Sequence, residues 1–174
     1  MKYNKKKNIL VHSDVFFKHE PEFLGENISI DKGVYCTTNI KIGKYVHISP
    51  YVTIIGGSKS NFTCEGFNNI MAGSRIICGS DRFDDSGLFG AMIPEELKGK
   101  QIIEPIIMEK FSNVGTNSIV LPGSRLRMGV LLSAGSLLIG DTEEWGVYKG
   151  NPATLVKKID PTNILRAAEK LDNL

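Results

Sequence analysis

Apolar residues recur along this chain every six positions. Stepping from Ile28 gives Ile28, Val34, Ile40, Val46 and Val52; two positions on, the same step gives Ile30, Cys36, Ile42, Ile48 and Ile54. Carried forward, one column passes Ser58, Cys64, Ile70 and Ile76, and the other passes Ser60, Gly66, Ala72 and Cys78. The sag at 57–66 reads as a loop or a weakened coil. After a gap the period returns as Met108, Val114, Val120, Leu126, Leu132 and Leu138, beside Ile106, Ser112, Ser118, Ser124, Val130 and Ser136. A period of six is neither the 3.6 of a helix nor the 2 of a strand. It fits a triangular prism with one short strand per face. The large residue points inward at mid-face, the small one sits near the corner, and strands of successive coils stack in parallel. Gly43, Gly56, Gly115, Gly123, Gly129 and Gly135 fall where turns need φ > 0 or a missing Cβ. The expected fold is an all-β parallel β-helix over about residues 28–140.

Three segments lie outside the period. Residues 1–27 read as an irregular lead-in. Residues 79–105 form a long polar insertion within the β-helical domain, which is assigned to 28–158. Residues 159–174 hold a C-terminal helix: PTNILRAAEKLD at 161–172 places Ile164, Leu165, Ala168 and Leu171 at helical spacing, as in a cap packed on the end of a solenoid. Glu95 and Glu96, after Pro94, suit the first turn of a short helix.

Composition narrows the function. The 174 residues carry 21 Lys+Arg against 19 Asp+Glu, a net charge of +2, too balanced for a protein that lives on nucleic acid. Val130 to Ile139, the best apolar stretch, is too short to span a bilayer and is broken by serines. The start MKYNKKKNILVHSD has no signal-peptide core, and Lys5-Lys6-Lys7 reads as a solvated end. Cys36, Cys64 and Cys78 cannot all pair and fit no zinc spacing, so they read as reduced thiols of a cytoplasmic protein.

The motifs SIVLPG (118–123), SAGSL (133–137) and GNPATLVKK (150–158) resemble those of the hexapeptide-repeat acyltransferases, and the resemblance runs over roughly 28–158. It implies a left-handed parallel β-helix, a homotrimer with active sites between subunits, and acetyl-CoA as donor in the groove between two subunits. By motif, Gly115 and Thr116 face the pantetheine arm. Ala134 offers a backbone N–H to it, Gly150, Asn151, Pro152 and Ala153 lie near the adenine, and Lys157 lies near the 3′-phosphate. Asn113 and Ile139-Gly140 depart from the O-acetylating relatives, which often carry Trp and Thr-Lys there. The insertion GSDRFDDSGLFGAMIPEE looks like the corresponding loop of sugar acetyltransferases of surface-polysaccharide (O-antigen) pathways.

In the O-acetylating relatives a His opens that insertion as general base, because a sugar hydroxyl is a poor nucleophile. Here Ser80-Asp81 stands in its place, and the chain's histidines are His12, His19 and His47. A sugar amine is already neutral in appreciable fraction near pH 8 and needs chiefly to be positioned. The expected reaction is therefore acetyl transfer to the amine of a nucleotide-linked, dTDP-type, 3- or 4-amino-dideoxyhexose. Asp81 is the expected catalytic carboxylate, with His47 as the second catalytic candidate. Asp84, Asp85 and Glu95 are candidates for binding the substrate. O-acetylation of a sugar hydroxyl and a non-catalytic trimeric assembly module are the alternatives. A zinc hydratase on the same solenoid would need three converging histidines, of which only His47 lies in the repeats. No metal is expected.

Overall fold

In a computed structural model, described here over residues 2–172, the six-residue period winds the chain into a three-faced parallel β-helix. The first face stacks Ile9–Val11, Ile28–Ile30, His47–Ile48, Asn69–Ile70, Asn113–Val114, Leu131–Leu132 and Gly146–Gly150. The second stacks Phe16–Phe17, Tyr35–Cys36, Thr53–Ile55, Arg75–Ile77, Ile119–Val120 and Leu137–Leu138. The third stacks Glu22–Phe23, Asn39–Lys44, Asn61–Gly66, Ile106–Met108 and Arg125–Leu126. Both apolar columns point inward and are buried from Ile28 to Ile54 and again from Ile106 to Leu138, where serines 112, 118, 124 and 136 fill the narrow corners.

The first coil starts earlier than expected. Ile9–Val11 pairs in parallel with Ile28–Ile30, Phe16–Phe17 with Tyr35–Cys36, and Glu22–Phe23 with Lys41–Ile42. Val11, Phe17 and Phe23 stand six apart and pack against the core. Ile30 follows Phe23 by seven, however, because the corner at 24–27 holds one residue more. Stepping back from Ile30 by six therefore lands on Leu24, Lys18 and His12, and the coil reads as irregular. Residues 9–24 are part of the solenoid, not a lead-in.

A second phase slip sits at Gly56–Lys59. Coil partners are 18 apart before it (Cys36 with Ile54) and 22 apart across it (Ile42 with Cys64, Ile54 with Ile76). Four extra residues put the Ile30 column on the phase that the Ile28 column held and shift the Ile28 column to Phe62. Cys64, Ile70 and Ile76 stack on the column of Ile42, Ile48 and Ile54, while Phe62 stacks on Ile40. Continuing one column through Ser58 fails for this reason, and Ser58 is exposed.

One corner is built as a ladder. Asn27, Tyr45, Phe67, Phe111 and Trp145 all take left-handed backbone (φ 53 to 66) at the approach to the first face. Their rings stack at centroid distances of 5.0, 4.8 and 6.1 Å. The last pair spans a skipped coil, because Gly129 lies between them. A Cβ there would stand 2.1 Å from the Trp145 ring, so only glycine lets the indole reach Phe111.

Both ends of the first face are closed by antiparallel strands, Lys2–Asn4 and Ala153–Lys158, which blunt the open edges. The C-terminal helix, Thr162–Asp172, does not cap the solenoid as expected. Ile164 and Leu165 stay 38% and 37% exposed, and the closing hairpin does the capping instead.

Candidate active site

The two largest breaks in the period occur at the same corner, in neighbouring coils. Thr53–Ile55 and Arg75–Ile77 are paired on the second face. The chain leaves the first through Gly56–Lys59 and the second through the insertion, then returns to the third face at Asn61 and Ile106 respectively. A cleft of about 310 Å³ opens between them, lined by Gly56, Gly79, Ser80, Asp81, Gly90, Ala91, Gln101 and Ile103. Gly56 and Gly79 form its floor back to back: a Cβ on Gly56 would lie 2.8 Å from the Gly79 nitrogen. Small residues leave the space, and Asp81 supplies the charge.

The insertion is structured. Gly79–Asp81 pairs antiparallel with Gln101–Ile103, Arg82 N–H donates to Lys100 C=O (2.8 Å), and further out Leu88 N–H donates to Leu97 C=O and Gly99 N–H to Leu88 C=O (both 2.9 Å). Asp81 sits on the cleft and its Oδ1 accepts from Gln101 Nε2 at 3.0 Å. Asp84 is spent on the loop: its Oδ1 accepts the Ser86 N–H (3.0 Å) and its Oδ2 meets Arg82 Nε (3.0 Å). The Ser86 bonds, more than the nearby Arg82 and Lys100 charges, hold its carboxyl below the usual range. Asp85 is exposed. Glu95 opens a single 3-10 turn, Glu95–Leu97, and pairs with Lys98 at 3.1 Å. Neither Asp84, Asp85 nor Glu95 lines the cleft.

His47 lies elsewhere in the chain. It points outward from the first face, half-exposed, with Nε2 2.8 Å from Asp31 Oδ2, and Ser29 Oγ donates to the other Asp31 oxygen at 3.3 Å. The hollow beside it, about 390 Å³, shares no residue with the Asp81 cleft. Within one chain the two catalytic candidates are not brought together.

Most of the expected donor contacts do form one strip. Gly115–Thr116, Ala134 and Gly150 occupy the exit corner of the first face in three successive coils. They are tied by Gly115 N–H to Leu132 C=O (2.8 Å), Gly135 N–H to Thr116 C=O (2.9 Å) and Gly150 N–H to Ser136 Oγ (3.1 Å). A Cβ on Gly115 would come within 2.5 Å of the Ala134 nitrogen, so the strip is necessarily flat backbone. The Asn151-Pro152 bond is cis and turns the chain into Ala153–Lys158. Lys157 lies opposite Val147, three residues or roughly 10 Å back from that turn. Lys158 is paired with Glu143 at 2.8 Å.

The buried thiols are not nucleophiles. Burial pushes Cys36 up to about 11 and Cys78 to about 12, and Cys64 is raised further still for the same reason. Among the described residues, no group of three or more His, Cys, Asp or Glu side chains could hold a metal ion, and no helix is long and apolar enough to cross a membrane.

Gly56 was read from the sequence only as a turn glycine, and Ala91 and Gln101 were not singled out. The phase slip at Gly56–Lys59 is the signal that could have found the first. The other two depend on how the insertion folds back, which spacing does not encode.

No protein-family model matches the chain. The dTDP-4-amino-4,6-dideoxy-D-glucose acyltransferase of Escherichia coli is 28% identical over 135 residues, covering 75% of this chain and 68% of that protein. The N-acyltransferase AntD of Bacillus cereus, in complex with dTDP and 3-hydroxybutyryl-CoA, superposes with a TM-score of 0.84 at 24% identity, over 96% of this chain and 88% of that one. A point variant of AntD holding dTDP-4-amino-4,6-dideoxyglucose and coenzyme A gives a TM-score of 0.80 at 23% identity, over 95% and 88%. The protein has the left-handed β-helix fold of the acyltransferases, as the motifs implied.

Proposed function

We propose that this chain is an acyl-CoA-dependent N-acetyltransferase whose acceptor is the amine of a dTDP-linked 4-amino-dideoxyhexose. The observation that carries the reading is the cleft itself. It is a small-residue hollow with one carboxylate, at the corner where two register breaks coincide, in a fold that matches a dTDP-sugar N-acyltransferase along nearly its whole length. The cleft is lined by no histidine, which favours amine over hydroxyl as the nucleophile. Asp81 accepts a hydrogen bond from the amine and orients it. The amine nitrogen attacks the thioester carbonyl, a C–N bond forms, and the C–S bond breaks to release the CoA thiolate. The proton lost by the nitrogen passes by way of Asp81 to solvent or to the departing thiolate. The donor lies along the flat strip of Gly115, Thr116, Ala134 and Gly150, with Asn151–Ala153 and Lys157 toward the nucleotide end.

The same reading makes the protein a cytoplasmic homotrimer serving surface-polysaccharide synthesis. The part-exposed Ile164 and Leu165 of the C-terminal helix and the exposed Phe83 and Met92 of the insertion support assembly, since a lone chain leaves them partly in water. His47 and Asp31 face outward, where a neighbouring subunit would meet them.

A panel of amino-sugar and hydroxyl-sugar nucleotides, incubated with acetyl-CoA and read by mass, tests the assignment. A gain of one acetyl group confined to 4-amino sugars supports it, and acetylation of hydroxyl sugars alone overturns it.

A further inference from the structure

Asp81 has a cross-strand partner. In the two-stranded ladder that carries the insertion, Gly79 faces Ile103, Ser80 faces Ile102 and Asp81 faces Gln101. Asp81 and Gln101 both line the cleft, and the Gln101 side-chain amide donates to Asp81 Oδ1 at 3.0 Å. The neighbours that could compete are engaged elsewhere. Arg82 is held by Asp84 (3.0 Å), and the Ser80 hydroxyl donates to the Asp81 main-chain carbonyl (3.2 Å). Gly56, Gly79, Gly90 and Ala91 have no side-chain donor to offer.

A neutral amide is a particular choice of partner. It offers N–H donors without adding charge, so it fixes a carboxylate without neutralising it as Arg or Lys would. Bonding at Oδ1 restricts rotation of the carboxylate about its terminal torsion, which is otherwise broad. Oδ2 is then left in one direction, as the acceptor for a donor entering the cleft.

We propose that Gln101 is a positioning residue for the transfer: by holding Asp81 Oδ1 it aims Oδ2 at the acceptor amine. This rests on the reading of Asp81 as the group that holds the amine. It places the specificity for an N–H donor in a pair of residues rather than in the carboxylate alone.

The test is a double-mutant cycle with dTDP-4-amino-4,6-dideoxyglucose and acetyl-CoA, using Gln101→Leu, Asp81→Asn and the double variant, each with its Tm. Gln101→Leu is expected to lower kcat/KM for the amino sugar by about 10-fold, with the KM for acetyl-CoA unchanged. The double variant is expected to be no slower than Asp81→Asn alone, because residues acting as a unit are non-additive. Gln101→Glu, similar in shape but setting carboxylate against carboxylate, is expected to lose more than Gln101→Leu while staying folded. It keeps the test open if the leucine variant misfolds. Full activity in both Gln101 variants overturns the proposal, as does a loss that multiplies with that of Asp81→Asn or appears in the acetyl-CoA KM. Full activity in Asp81→Asn overturns the reading of the cleft itself, and the proposal with it.

Discussion

The run from Ile106 to Leu138 and the corner that carries Gly56–Lys59 and the insertion are opposite kinds of structure within one solenoid. In the first, partners stay 18 apart, every sixth residue is apolar and buried, and serines fill the corners. In the second, four and then some two dozen residues are added at one corner of adjacent coils, and the cleft they leave is lined mostly by small residues with one carboxylate. The regular run supplies stability and a flat edge of backbone. The broken corner supplies a hollow and a carboxylate. Periodicity builds the scaffold, and in the proposed function the departures from it carry the chemistry.

The comparison can be broken most severely at Asp81. Asp81→Asn keeps the shape and removes the charge, and is expected to lower kcat/KM for the amino sugar by about 10- to 1000-fold with Tm little changed. Asp84→Asn, three residues away but spent on the loop, is expected to lower it far less. Equal losses in steady-state kinetics would deny the cleft its special place.

The converse change belongs to the regular run. Leu132→Ala removes a residue that is 2% exposed and should cost about 2–5 kcal/mol in denaturant unfolding, while the surviving folded enzyme keeps its acceptor KM. A changed acceptor KM would mean that the two regions are not separable.

A smaller effect is expected at the donor end. Lys157→Ala should raise the acetyl-CoA KM about 5-fold, in keeping with about 1 kcal/mol for an exposed charge contact, and leave the amino-sugar KM alone. An unchanged donor KM removes Lys157 from the groove.

The solenoid was legible in the sequence because inward positions repeat at a fixed step, and so were the insertion and the helix. What was lost was phase. One extra residue at 24–27 hid the coil of Val11, Phe17 and Phe23, and four at Gly56–Lys59 moved one column onto the other's phase. Asp81 was picked out from its place at the mouth of the insertion, and the structure puts it on the cleft. Asp84 was expected to bind the substrate, and the loop's own hydrogen bonds engage it instead. Gln101 was invisible because its proposed role depends on a strand pairing across the nineteen intervening residues of the insertion.

The thiols sharpen the comparison most gently. All three lie inside the solenoid, so at about pH 8 none should react with a thiol reagent in the native protein and all three should react in guanidinium. Their raised values favour the protonated, folded form. That contribution is complete below the ordinary value of 9.0 and is lost as pH rises through about 11 and 12. Tm should therefore fall on the alkaline side of pH 9, and a flat alkaline profile would contradict the burial.

The most direct test of the central claim compares two acceptors that differ in one atom. Wild-type protein, acetyl-CoA and either dTDP-4-amino-4,6-dideoxyglucose or its 4-hydroxyl counterpart are followed by CoA release. A cleft with an orienting carboxylate and no histidine predicts transfer to the amine at least about 100-fold faster than to the hydroxyl. Equal rates on the two would contradict it.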